Sequence, residues 1–349
     1  MSGFRIAERA VGDDCPAYVI AEIGNNHNGD ADKAERLIRA AAQTGVDAVK
    51  FQTFKARDIH NPTVRADAYP GFDASKNFET WVEYVETTEL KYEHYPRLMA
   101  VAQECGVHFM STPASMEALD FLVKLGVPAL KVASMDLTNQ PFLAACARTG
   151  LPVILSTGMS DMAEIDQAVA DLAGAPLAVL HCVSNYPTEF SDVRLRNMTM
   201  LAARYPQAIT GFSSHTAGIE AELAAVALGA KVLEKHFTLD RADPDLAEHH
   251  VSLEPMEMSA LMVAVRKVEA AMGGAERVLT PSERANRALA RRSVVLTRAV
   301  AKGERLVRED LVLIRPGTGI MPRHMEELPG RVAARDLVAW QALQWEDLV

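Results

Sequence analysis

Cysteine is scarce: Cys15, Cys105, Cys146 and Cys182 are far apart and form no Cys-x-x-Cys pair, which excludes a zinc knuckle, a redox dithiol and a disulfide framework. All four are expected to be reduced and mostly buried. Cations are also in deficit, with 36 Lys and Arg against 46 Asp and Glu and a formal charge of −10. That balance argues against a surface built to hold a nucleic-acid backbone, whereas a small anion needs only a few cations focused in one cleft. No apolar run approaches the roughly 20 residues of a bilayer span. The first residues, MSGFRIAERAVGDD, lack the apolar core of a secretory signal, so a cytoplasmic protein with no membrane partner is expected. No G-x-G-x-x-G or Walker sequence occurs either, and nucleotide-binding sheets lose their signature.

What is present is the composition of an ordinary globular protein, 49% hydrophobic and 23% charged. A chain of 349 residues suits one large domain and one small one. Eight short β-rich runs, at 17–23, 46–52, 107–111, 129–134, 152–157, 177–183, 208–213 and 230–237, alternate with amphipathic helical stretches, as βαβ units do. Runs such as VILS and AVLHCV are apolar throughout, as strands covered on both faces are. Asp161 and Glu164 have capping-box spacing ahead of one helix, and PFLAACARTG ends in a glycine suited to follow another. Eight strand–helix repeats within residues 1–272 point to an α/β fold, a (β/α)8 TIM barrel. Residues 273–290 are polar, with Gly-Gly and Pro, and read as a connector with about one helical turn. Residues 291–349 read as a small β-rich domain built on SVVLTRAV, DLVLIRP and RVAARDL. At that size it is marginal alone and leans on the barrel or a partner subunit.

In such a barrel the chemistry sits where the strands end, and nearly every run ends in functional groups: Glu22 with Asn25 and Asn26, Lys50 with Gln52, Ser111 with Thr112, Lys131 with Ser134 and Asp136, Ser156 with Thr157, Ser184 with Asn185 and Tyr186, Ser213 with His215, and Glu234 with His236. Side chains two apart on a strand share a face, so Lys50/Gln52 and Glu234/His236 can point together into the mouth. A lone buried histidine is ordinarily structural. His215 and His236, however, end adjacent strands about 4.8 Å apart and can share one cation. Two histidines with water and substrate oxygens suit a catalytic Mn2+ or Mg2+ better than a closed zinc site. Lys50 and Lys131, set in apolar surroundings, need partners and with the strand-end hydroxyls form a candidate phosphate and carboxylate site. Glu22 and Asp136 are open to a structural or a functional role. His249 and His250, in RADPDLAEHH, read as a solvated loop, and Arg291-Arg292 as a charged domain edge.

The motifs AEIGNNHNG, VKFQT, STP, KVAS, STGM, HCVSNYPT, GFSSHT, EKHFTLD, RRSVV and RPGTGI resemble, over essentially the whole chain, those of sialic acid synthases with a C-terminal antifreeze-like (SAF) domain. The resemblance implies a transferase that condenses phosphoenolpyruvate with an N-acylated amino sugar such as N-acetylmannosamine, water adding at C2 and phosphate leaving. It also implies a homodimer in which the small domain swaps and Arg315, of RPG, enters the partner's site to contact the N-acyl group. By the same resemblance Lys50, Lys131, Ser134, Ser156, Ser184 and Ser213 bind phosphoenolpyruvate, with Asn185 or Ser184 where some members place an Asn. Thr112 joins the substrate site, His215 and His236 bind a metal, usually Mn2+, and Glu22, Gln52, Tyr186 and Glu234 serve the sugar or the metal shell. Where the family often has Ser-Gly-Glu, this chain has Ser134-Met135-Asp136, so Asp136 must reposition its shorter carboxylate or share its duty with Glu22. The acceptor alternative is a 2,4-diacetamido-trideoxyhexose, leading to legionaminate or pseudaminate, although RPGTGI is closer to neuraminate and legionaminate synthases. A Schiff-base aldolase using Lys131 or Lys50 does not need the paired histidines, and a non-catalytic sugar-binding protein does not need so many ionisable strand ends.

Overall fold

The eight apolar runs become eight parallel strands that close on one another. The computed structural model describes residues 3–68, 78–243 and 248–349, and contacts divide the chain into two units, Met1–Gly273 and Gly274–Val349. A hairpin opens the first unit, β1 (Gly3–Ile6) and β2 (Arg9–Gly12). The barrel then follows as β3 (Tyr18–Gly24), β4 (Ala48–Thr53), β5 (His108–Pro113), β6 (Leu130–Val132), β7 (Val153–Ser156), β8 (Leu177–Cys182), β9 (Ile209–Ser214) and β10 (Val232–His236), with β10 pairing back onto β3. No described helix is long and apolar enough to cross a membrane.

Strand alternation sorts the buried residues into two cores. Outward-facing Val19, Val49, Leu155 and Leu233 pack against the surrounding helices. Inward-facing Ile20, Ala48, Met110, Ile154, Leu180 and Val232 fill the lower barrel, and Ile6 and Val11 of the hairpin join them. The hairpin therefore plugs the end of the barrel opposite the strand C-termini. The sequence reading did not anticipate it, because four-residue strands with one and two buried positions carry little pattern. The Asp161 capping box forms, with both of its side-chain bonds at 2.9 Å, and Gly150 takes a left-handed φ of 72° just after helix Gln140–Arg148. All four cysteines are free, but only Cys146 and Cys182 are buried.

The second unit departs from expectation in two places. The segment read as a connector contains helix Pro281–Ala290, ten residues with none buried. Thr280 and Glu283 form a capping box and Pro281 takes the first turn, so local end signals rather than an apolar face build this helix. RVAARDL contributes no strand: β11 (Ser293–Leu296) and β12 (Leu311–Ile314) pair antiparallel, whereas Val332, Ala333 and Leu337 make only isolated bridges. Loops are held instead by buried carboxylates, Asp310 with Arg298 at 2.6 Å and Asp347 with Arg335 at 2.6 Å, around a core that includes Val294, Leu296, Leu328 and Leu343.

Gly211 shows how tightly the barrel interior is filled. A Cβ there would collide with Leu180 Cδ2 and the Val232 carbonyl, and would lie 3.0 Å from Val232 Cβ. Backbone cannot give way cheaply, so Gly211→Ala is expected to cost about 1–3 kcal/mol. Thermal denaturation should show a midpoint several degrees lower.

Candidate active site

Above the apolar layers the inward positions turn polar, and register sets them side by side. Glu22 pairs in register with Lys50 and with His236, Gln52 with Thr112, and Glu234 with Ser213. Lys50 Nζ lies 2.6 Å from Glu22 Oε2 and 3.8 Å from Glu234 Oε1, and donates to Thr112 Oγ1 at 2.9 Å. Lys131 Nζ lies 3.9 Å from the same Glu234 oxygen and donates to the Val132 carbonyl at 3.1 Å. Gln52 donates to Glu22 at 3.3 Å, and the Ser213 hydroxyl to Glu234 at 3.1 Å. All these groups face a cavity of about 460 Å3, ample for small molecules.

Burial works against every charge here, and neighbours decide which survive. Burial lowers the pKa of Lys131, beyond what Glu234 restores. Lys50 is opposed by burial too, yet Glu22 and Glu234 outweigh it and hold it above the usual lysine value. Burial raises Glu22, partly offset by Lys50, whereas the two lysines overcome burial at Glu234 and hold it below the usual carboxylate value. Two carboxyls of one type are thus pushed apart: Glu234 stays ionised and Glu22 is readied to take a proton. Ser156 Oγ and Glu234 Oε2 are buried with no hydrogen-bond partner among the described residues, as groups awaiting a ligand would be. Gly158 lets hydroxyls crowd in; its N–H donates to Ser134 Oγ at 3.0 Å, and a Cβ would collide with Ser184 Oγ.

One flank of the cavity is made of rings. His215 and His236 have centroids 5.2 Å apart, with Tyr186 stacked on His215 at 3.8 Å. A carbonyl only accepts, so the 2.7 Å contact of His215 Nδ1 with Val183 O places the proton on Nδ1 and leaves Nε2 as the open nitrogen. Burial and His236 lower His215 to about 4. His236 Nδ1 faces Glu248 Oε2 at 3.1 Å; burial opposes its charge, but Glu248 wins and raises its pKa. Glu248, which burial alone would raise, is drawn down to about 2 by His236. Among the described residues no three His, Cys, Asp or Glu are grouped to hold a metal. The donor set is therefore two imidazoles, each oriented by an oxygen at Nδ1, and it fits an open cation site completed by water and substrate.

Glu22, Lys50, Gln52, Thr112, Lys131, Ser134, Ser156, Ser184, Tyr186, Ser213, His215, Glu234 and His236 all line this one cavity. Asp136 does not. It sits on the short turn Ser134–Asp136, where Met135 takes the lining position, and its Oδ1 is 3.5 Å from Asn139. Asn185 lines a neighbouring cavity instead, and Arg315, the last of the predicted site residues, belongs to the second unit. Glu248 was missed, because its acidic stretch reads as a surface loop. The same stretch corrects the reading of His249, which is buried, with Nδ1 2.6 Å from Thr238 Oγ1. Also unforeseen is an apolar wall of Phe54, Ile59, Trp81 and Val85.

A family model described as the NeuB family matches residues 37–277, more than half of the chain, and a SAF domain model matches residues 291–349. The chain belongs to the NeuB family. Among its relatives, the N,N'-diacetyllegionaminic acid synthase of Legionella pneumophila is 40% identical over 97% of this chain and 96% of its own length. The human N-acetylneuraminate-9-phosphate synthase is 35% identical over 93% of this chain and 90% of its own. A crystal structure of the N-acetylneuraminic acid synthetase of Leptospira borgpetersenii, in complex with citrate, superposes with a TM-score of 0.72 at 31% identity, covering 82% of this chain and 95% of that one.

The His236–Glu248 pair gives this NeuB-family site a pH signature. Because His236 is raised in the folded state, its contribution to stability is complete below its unfolded value near 6.5 and is lost as pH rises through the folded value. Glu248, depressed, contributes above 4.5 and loses that contribution as pH falls toward about 2. In protein stripped of divalent ions, Glu248→Gln should lower the His236 pKa, because the carboxylate that favours the imidazolium is gone. NMR titration of the imidazole resonances reads this directly, and an unmoved His236 would refute the pairing.

Proposed function

We propose that this chain condenses phosphoenolpyruvate with an N-acylated amino sugar to give a nonulosonic acid. The observation that carries the reading is the buried network Glu22–Lys50–Glu234–Lys131 beside the unpartnered Ser156 hydroxyl. Two cations and a cluster of hydroxyls suit a phosphorylated carboxylate, and charge separation lets one carboxyl act as a proton carrier. Lys50 and Lys131 hold the phosphate and carboxylate, with Ser134, Ser156, Ser184 and Ser213 supplying hydrogen bonds. C3 of phosphoenolpyruvate attacks the aldehyde carbon of the open-chain sugar, the carbonyl pair moving to the aldehyde oxygen, which takes up a proton to become a hydroxyl. Water adds at the electron-poor C2 and gives up a proton, and the C2–O bond to phosphate breaks as the new C2 hydroxyl loses its proton and becomes the ketone. Glu22, whose pKa is raised by burial, is the carboxyl placed to take the proton from that water, since Asp136 lies outside the cavity lining. His215 and His236 would hold a divalent ion, Mn2+ or alternatively Mg2+, which when bound would supply Lewis-acid polarisation of the aldehyde.

The acceptor is N-acetylmannosamine or a 2,4-diacetamido-trideoxyhexose. Two observations favour the second: the higher identity to the legionaminic acid synthase, and the apolar wall, which gains contact from a methyl group in place of a hydroxymethyl. In the same proposal the protein is a cytoplasmic homodimer in which Arg315 contacts the N-acyl group of the sugar bound by the partner.

With Mn2+ and phosphoenolpyruvate, phosphate should be released in the presence of one of these sugars and not in the His215→Ala variant. Lys50→Met should lower kcat by roughly 10²–10³, and borohydride with pyruvate should leave no adduct on Lys50 or Lys131. Folded, Mn2+-binding protein that releases no phosphate with any of these sugars would sink the reading. The dimer has its own test: mixing His215→Ala with Arg315→Ala subunits should recover activity that neither variant shows alone, and no recovery would remove Arg315 from the partner's site.

A further inference from the structure

The outward face of β10 carries a charge that the proposed chemistry does not use. Lys235 lies between Glu234 and His236, so by strand alternation it points away from the cavity into the layer between barrel and helices. It is fully enclosed, as is Glu222 of helix Glu220–Ala227, whose Oε1 lies 2.8 Å from Lys235 Nζ. Small neighbours in register, Ser214 on β9 and Ala21 on β3, make room for it. Apolar side chains of the same size would fill this space at no greater cost than two buried charges. What they would not do is hold the groups the ammonium holds.

An ammonium has three donors. Glu222 stands beside it as an ion-pair partner; one donor goes to the Thr216 carbonyl at 2.6 Å, and the hydroxyls of Ser214 and Thr216 lie within reach, each at 3.5 Å. Those hydroxyls are 2.9 Å apart, and Ser214 Oγ also accepts the Thr216 N–H at 3.3 Å. Ser214 and Thr216 flank His215. From the other side the His215 carbonyl accepts the Thr188 N–H at 3.0 Å, and its Nδ1 is fixed by Val183. The turn that bears His215 is thus bonded to the strand that bears His236 by a side chain neighbouring His236 itself.

We propose that Lys235 and Glu222 are positioning residues for the two-histidine centre: the buried pair fixes the spacing and facing of the His215 and His236 imidazoles. This rests on the reading that the two histidines act together. Removing only Lys235 would strand the Glu222 charge in the core, so the decisive protein is the Lys235→Met/Glu222→Leu double variant, which removes both charges and keeps the volume.

Four quantities are measured on the full-length double variant: melting temperature, Mn2+ affinity from the free-ion electron paramagnetic resonance signal, metal-free phosphoenolpyruvate affinity, and the His215 Nδ1–H resonance by NMR. The expected result is a folded protein that binds phosphoenolpyruvate within about twofold of wild type. Its Mn2+ affinity should fall roughly 10–100-fold, and its His215 Nδ1–H signal should be lost to exchange. Unchanged Mn2+ affinity with an unchanged His215 signal would make the pair merely structural and overturn the proposal. If wild-type protein binds no Mn2+, the metal reading fails and the His215 signal alone decides the positioning role. If the double variant does not fold, Ser214→Ala removes one hydroxyl of the clamp; there a loss of about 2–10-fold in Mn2+ affinity is expected, and wild-type values for both readouts would overturn the proposal equally.

Discussion

Everything at this site depends on holding two lysines and two glutamates inside a closed barrel. Each charge alone would be driven to its neutral form by burial; together, Lys50 between Glu22 and Glu234, with Lys131 beside the latter, they hold one another. The closed sheet helps, because most of its backbone groups are satisfied by neighbouring strands and leave these side chains largely to one another. The apolar layers below, sealed by the β1–β2 hairpin, leave the charged layer open only toward the strand C-termini. A trianionic ligand entering from there would meet two cations, one ionised carboxylate and one carboxyl readied for a proton. Glu22, raised by burial yet held beside Lys50, is the member of the network whose charge is fixed least firmly.

Strand alternation assigns two tasks to the same few residues. On β10, Glu234 and His236 serve the cavity while Lys235 reaches back to the turn that carries His215. The flank of rings is supported similarly, by the Val183 carbonyl and Glu248 at the two Nδ1 atoms. The two imidazoles are oriented from behind, so their open edges face the cavity before any ligand arrives, and the cost of that order is met on folding rather than on binding.

The barrel was legible because its strands are covered on both faces and so read as apolar runs ending in polar residues. Period-two alternation likewise placed Lys50 with Gln52 and Glu234 with His236 correctly on one side. Where side-chain period carried no information, the reading failed. Helix Pro281–Ala290 buries nothing, so its only signals were Thr280, Pro281 and Glu283 at its start. The residues 331–337 look apolar enough for a strand, yet they fold as bridged loops pinned by Asp347. Glu248 and His249 sit in an acidic, Pro-containing stretch indistinguishable from solvated loop until β10 brings His236 and Thr238 against it.

Asp136 shows how local geometry can override spacing. Two residues beyond Ser134 would share its face if the strand continued, but β6 ends at Val132 and the chain turns at Ser134–Asp136. In that turn the i+2 rule no longer holds, and Met135, more than half exposed, takes the cavity side. Burial raises the Asp136 pKa, and Asn139 only partly offsets it. Burial raises Glu22 as well, and the difference lies in placement: Glu22 is on β3, in register with both Lys50 and His236, and its carboxyl touches Lys50 and Gln52. A carboxyl that is to pass a proton near a bound anion needs a cation at hand to tune it and a place in the cavity wall, and of these two carboxyls only Glu22 has both.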